Sequence, residues 1–111
     1  MRTEGQKRSR VQELKAAQTY QGLRTPGSGN GWVKKGDVRT TAELIELKTT
    51  LKHQYPLKVL ELEKIGTEAL LDGRIPVFII EFAADHETYV VLSETDYMTM
   101  RAKIQEIEAG R

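Results

Sequence analysis

The sequence predicts one α/β domain over residues 1–111, with a mixed central β-sheet flanked by helices in the order α-β-β-β-α-β-β-α. Three observations lead there. Residues 43–49 alternate their side chains between two faces, as a strand does. "IPVFIIEFA" is a continuous β-branched run, the pattern of a strand covered on both faces. Both ends of the chain carry helical periodicity behind capping residues.

The first helix is read from "TEGQKRSRVQELKAAQTYQG". Thr3 and Gln6 make a capping box, Val11, Leu14 and Ala17 mark one face, and Gly22 stops it. "RTPGSGNGW" is a loop, because its glycines and proline cannot sustain regular structure. Residues 36–41 and 43–49 read as two strands around a short turn. In the second, Leu44, Glu46 and Lys48 share one face and Ile45, Leu47 and Thr49 the other. Pro56 suits the first turn of a helix running to Gly73, with Leu62, Ile65 and Ala69 inward. "IPVFIIEFA" and "ETYVVL" follow as strands. Ser93 with Asp96 then caps a last helix with Tyr97, Met100 or Arg101, Ile104 and Ile107 along it.

Composition narrows the class. At 39% hydrophobic and 30% charged residues the chain resembles an ordinary soluble protein. No apolar run approaches the roughly 18 to 20 residues of a membrane span, and the basic N-terminus lacks the apolar stretch of a signal peptide. With no cysteine there is neither a disulfide framework nor a thiolate zinc site, which points to the cytoplasm. His53 and His86 are too few and too scattered to build a site. The net charge of +1 hides an asymmetry. Residues 1–58 hold twelve basic and five acidic residues, a net of +7, and residues 59–111 hold five and eleven, a net of −6. The basic half is either a phosphate-facing surface or an unstructured basic arm.

The stretch "GDVRTTAELIELKTT" carries the most chemistry. Asp37 on one strand and Glu46 and Lys48 on the next can converge above the sheet, Glu46 and Lys48 lying about 7 Å apart along their strand. Two carboxylates and the Leu47 carbonyl are hard oxygen ligands that suit Mg²⁺ or Mn²⁺. Lys48 beside such a cation would orient water and offset charge on a phosphate. The bland alternative is a solvated strand, in which Glu-x-Lys occurs by chance. "GSGNG" reads either as a flexible connector or as backbone N–H groups and the Ser28 hydroxyl open to phosphate. It lacks the Gly-Lys-Thr ending of a nucleotide loop. Trp32 is a core anchor or a base-stacking residue, and Met98 and Met100 are most simply packing.

Taken together, "GLRTPGSGNGW", "KKGDV", "LIELKTT" and "YPLKVLELEKIGTEALLDGRIPVFIIEFA" are similar to the archaeal-type Holliday junction resolvases and their phage relatives, within the PD-(D/E)xK, restriction-endonuclease-like nucleases. The likeness spans roughly residues 7–92. It implies a restriction-endonuclease-like fold, with Asp37 and Glu46 as Mg²⁺ ligands, Lys48 as the catalytic lysine, and Ser28 near the scissile phosphate. It further implies a glutamate from the first helix, Glu13 by position or Glu4. Gly36 stands where the family commonly has proline. Arg24, Gly27, Ser28, Gly29, Lys34, Lys35 and Arg39 would then face DNA near the site. Lys7, Arg8 and Arg10 on the outer face of the first helix would track phosphates or simply be solvated. Glu81, on the side of Val77 and Ile79, either supports the site or emerges at the strand end.

The expected function is thus Mg²⁺-dependent cleavage of branched DNA, four-way junctions first, by a C2 homodimer in the cytoplasm of a bacterial or phage-infected cell. "PVFII" and the last helix are the candidate dimer surfaces. Competing expectations are a nicking, repair or phage DNA-processing endonuclease of the same fold, and a DNA-binding or assembly module with an inactive site.

Overall fold

A computed structural model describes residues 3–20, 22–24 and 37–110. The expected element order is present: α1 (Glu4–Thr19), β1 (Leu23–Arg24), β2 (Val38–Arg39), β3 (Glu43–Thr50), α2 (Val59–Leu71), β4 (Ile75–Phe82), β5 (Glu87–Val91) and α3 (Glu94–Ala109). The strand left unplaced in the sequence is β1, two residues just before the glycine-rich stretch. A 3₁₀ turn, Ala83–Asp85, joins β4 to β5.

The strands lie side by side in chain order. Only β3 and β4 are parallel, the other neighbours being antiparallel. A parallel neighbour needs a crossover, and α2 is that crossover. The sheet therefore has two covered faces. On one, Val38, Ile45, Leu47, Val77 and Ile79 pack with Ala16 of α1. On the other, Leu44, Phe78 and Ile80 pack with Ile65 and Ala69 of α2. The alternation read in β3 is thus real, and β4 is buried from Val77 to Ile80. A strand paired on both edges and covered on both faces cannot form a dimer surface, which removes "PVFII" from that role.

Two helices differ from their sequence reading. The capping box of α1 forms, with the Gln6 N–H donating to Thr3 Oγ1 at 3.1 Å and the Thr3 N–H to Gln6 Oε1 at 2.8 Å. Its buried side, however, is Gln12 and Ala16, while Val11 is 64% and Leu14 45% exposed. Small Ala16 lets the helix backbone approach the sheet, and that choice turns the larger apolar residues outward. Arg8, expected on the outer face, is half-buried, whereas Lys7 and Arg10 are exposed. The second helix begins at Val59 with Lys58 as N-cap, not at Pro56. It ends where expected, with Gly73 in the left-handed region at φ 67°.

Gly22 marks a close approach. A Cβ there would lie 2.7 Å from Val38 Cγ1 and 2.8 Å from the Arg39 carbonyl oxygen, so β1 and β2 could not keep their spacing. Gly66, inside α2, has nothing within 4 Å of the same position. Gly22→Ala should therefore destabilise by about 1–3 kcal/mol through overpacking. Gly66→Ala should stabilise by about 0.5–1 kcal/mol through helix propensity. Urea unfolding of both variants checks the pair of signs.

Candidate functional site

The β2–β3 hairpin assembles the charged residues. Val38 pairs with Ile45 in the antiparallel register, and Asp37 stands immediately before β2. The Asp37 N–H donates to the Ile45 carbonyl at 2.8 Å, one residue off that register, so Asp37 and Val38 both face Ile45 as in a β-bulge. The turn holding this register is closed by Thr40: its Oγ1 accepts from the Glu43 N–H at 2.9 Å and donates to Glu43 Oε1 at 3.0 Å. The Leu47 N–H donates to Asp37 Oδ2 at 2.7 Å, which fixes the Asp37 carboxylate over β3. In an antiparallel strand a residue's N–H and C=O share one side, so the Leu47 carbonyl faces the same edge.

Glu46 and Lys48 follow Leu44 on the α2 face. The carboxyls of Asp37 and Glu46 are hydrogen-bonded to each other. Burial, then this hydrogen bond, then the negative charge of Asp37 push the Glu46 pKa up to about 8; Lys48 opposes the rise and Glu68 adds to it. At neutral pH Glu46 therefore keeps its proton. Such a pair takes either a proton or a cation between its oxygens.

The other groups near Glu46 come from α2 and the segment before it. Glu68 lies in reach of Glu46 electrostatically, and its Oε2 is buried with no hydrogen-bond partner. Tyr55 rests its ring on Phe78 at 6.2 Å and donates its hydroxyl to Glu61 at 3.1 Å. Burial and Glu61, with a smaller push from Glu46, raise the Tyr55 pKa to about 12. The signal available was positional: Glu61 and Glu68 stand seven apart, on the same stripe of α2 as Leu62, Ile65 and Ala69.

The remaining candidates divide. Glu13 is half-buried on α1, which packs on the opposite face of the sheet from Glu46. Its neighbour Gln12 anchors that helix, donating from Nε2 to the Lys48 carbonyl at 2.9 Å. Glu4 is exposed in the first turn. Arg39 faces Asp72 at 3.6 Å, and Asp72 also takes Arg74, so the Arg39 charge is partnered within the fold rather than presented to a phosphate. Glu81 accepts from Thr49 Oγ1 at 2.8 Å on the α1 face, away from Asp37 and Glu46. Gly27, Ser28, Gly29, Trp32, Lys34, Lys35, Gly36 and the Arg24 side chain lie outside the described residues.

Comparison with protein-family models, with curated proteins and with solved structures finds no match.

The raised Glu46 pKa sets a pH dependence. Between about 4.5 and about 8 the folded chain keeps a proton on Glu46 that the unfolded chain has released. Stability contributed here is therefore lost as pH rises through that window and level above it. Glu46→Gln, which mimics the protonated form, should match the wild type near pH 4. At pH 8.5 it should be more stable by roughly 2–4 kcal/mol, from about 1.4 kcal/mol per tenfold change in proton affinity. Urea midpoints across pH read the difference directly.

Proposed function

We propose that the chain is a metal-dependent DNA endonuclease with a restriction-endonuclease-like fold, acting on branched DNA and most of all on four-way junctions. The observation that carries this reading is the Asp37–Glu46 carboxyl pair, with Lys48 two residues further along the same strand face. The ordered sequence motifs shared with junction resolvases support it, and the α/β architecture is compatible with it.

The donor set fits a hard cation. Among the described residues no three or more Asp, Glu or His side chains gather as a complete cage. Mg²⁺ does not need one, since it is commonly held by one or two carboxylates and keeps several waters. Asp37 and Glu46 would hold it, with the Leu47 carbonyl as a further oxygen. Bound there, Mg²⁺ supplies charge neutralisation at a phosphodiester and a more acidic water. The protein's own contribution is positional. Asp37 is locked by the Leu47 N–H, Glu46 by the β-ladder, and Lys48 brings an ammonium that orients the attacking water and offsets charge as the P–O bond breaks. Glu68, with its Oε2 buried, and the Tyr55–Glu61 pair flank Glu46 from the α2 side.

Symmetric cutting of a four-way junction needs two such sites, so the active species under this reading is a C2 homodimer. Lys7 and Arg10, exposed on α1, are suited to backbone phosphates, which would make binding steeply salt-dependent and weakly sequence-specific.

Cleavage of a synthetic four-way junction, with linear, nicked and flap duplexes alongside, tests the proposal. With Mg²⁺ the junction should be cut and with EDTA it should not. Asp37→Asn should abolish cutting while junction binding stays intact or strengthens, because a negative charge facing phosphate is removed. Lys48→Ala should slow cutting by about 10²–10³-fold, the usual cost of one positioned electrostatic group. Faster cutting of linear or nicked duplex would assign another nuclease role. Junction binding without any metal-dependent cutting would make the chain a binding module.

A further inference from the structure

We propose that the cavity between α1 and the sheet is a binding site for one unpaired guanine base of the DNA on which the chain acts. The cavity holds about 190 Å³, far more than a single water needs, and Ala16, Leu47 and Ile79 give it apolar walls. Tyr20 lines it too, a side chain of the kind on which bases stack. It lies across β3 from Glu46, since Leu47 and Ile79 belong to the α1 face of the sheet.

The polar groups set among these walls are acceptors. Gln12 lines the cavity and is only 7% exposed. Its Nε2 donates to the Lys48 carbonyl at 2.9 Å, which fixes the amide, because only the –NH₂ end can donate. Oε1 is thereby turned away from that carbonyl, and it is buried with no hydrogen-bond partner among the described residues. A buried acceptor in that state is costly and calls for a donor. Glu81, half-buried on the same face, adds a carboxylate whose Oε1 takes the Thr49 hydroxyl and whose Oε2 is left for a ligand.

A carboxylate with an amide oxygen near it selects a ligand edge made of adjacent N–H donors. Guanine alone among the DNA bases has two donor atoms side by side on its pairing edge, N1 and N2. Thymine has one, and adenine and cytosine set each amino group beside a bare ring nitrogen that a carboxylate repels. The Lys15 ammonium, exposed beside the cavity, suits the phosphate that the base carries with it. A base leaves its stack most cheaply where pairing is already disturbed, as at a branch point.

The source of the base rests on the nuclease reading, whereas the site does not, and its test measures binding alone. The full chain is titrated with dGMP, dAMP, dCMP and TMP and followed by amide NMR. The affinity for dGMP should exceed that for TMP by about tenfold, the scale of one bidentate base contact, with the Gln12 side-chain –NH₂ signal among those that move. Glu81→Gln sets an –NH₂ group against a guanine donor and should cost about the same factor for dGMP. Lys15→Ala, on an exposed helix position, should remove the advantage of dGMP over deoxyguanosine. Should Glu81→Gln fold poorly, the base ranking and Lys15→Ala decide. No saturable dGMP binding, equal binding of the four nucleotides, a Gln12 signal that stays still, or a folded Glu81→Gln chain with undiminished dGMP affinity would each overturn the proposal. A chain that binds dGMP and leaves junctions uncut keeps this site and loses the nuclease reading; the reverse outcome keeps that reading and loses the site.

Discussion

The contact between the Asp37 and Glu46 carboxyls governs this structure's chemistry. Two acids are held together by backbone: the Asp37 N–H is bonded to the Ile45 carbonyl, and the Leu47 N–H fixes the Asp37 carboxylate at 2.7 Å. Burying charge in this way costs several kcal/mol without compensation. A proton kept on Glu46 compensates. Lys48, a strand period away, opposes the rise but does not cancel it, and the Glu46 pKa is pushed up to about 8.

The rest of the fold can be understood as support for that contact. A sheet covered on both faces gives β3 a fixed position, with Ile45 and Leu47 against α1 and Leu44 against α2. Gln12, an almost fully buried polar residue, ties α1 to the backbone at Lys48. On the other side α2 brings Glu68 near Glu46 and Glu61 to Tyr55. Glu46 thus lies mid-strand in β3 and Asp37 immediately before β2.

Much of this was legible before any coordinates. The strict alternation of Leu44, Glu46 and Lys48 places both charged groups on one face, and the short turn brings Asp37 back to Glu46. "IPVFII" announces a central strand by its lack of polar residues. What could not be read depends on tertiary choice. Val11 and Leu14 look like a core stripe, yet small Ala16 allows the closer approach and wins the sheet-facing side. Gln12 seems an outward residue until the Lys48 carbonyl is there to receive it. Glu61 and Glu68 have the period of the buried face of α2, but a glutamate at such a position reads as solvated unless another acid lies beneath it. Arg39 looks available to phosphate, and only the folded chain brings Asp72 to it.

The most direct check on the central contact is the titration of the Glu46 side chain itself, followed by carbon NMR of its labelled carboxyl in metal-free protein. A midpoint near pH 8 is the result that two adjoining, poorly hydrated acids demand. A midpoint in the ordinary glutamate range, near 4.5, would mean that Glu46 meets water rather than Asp37, and the carboxyl pair would not exist.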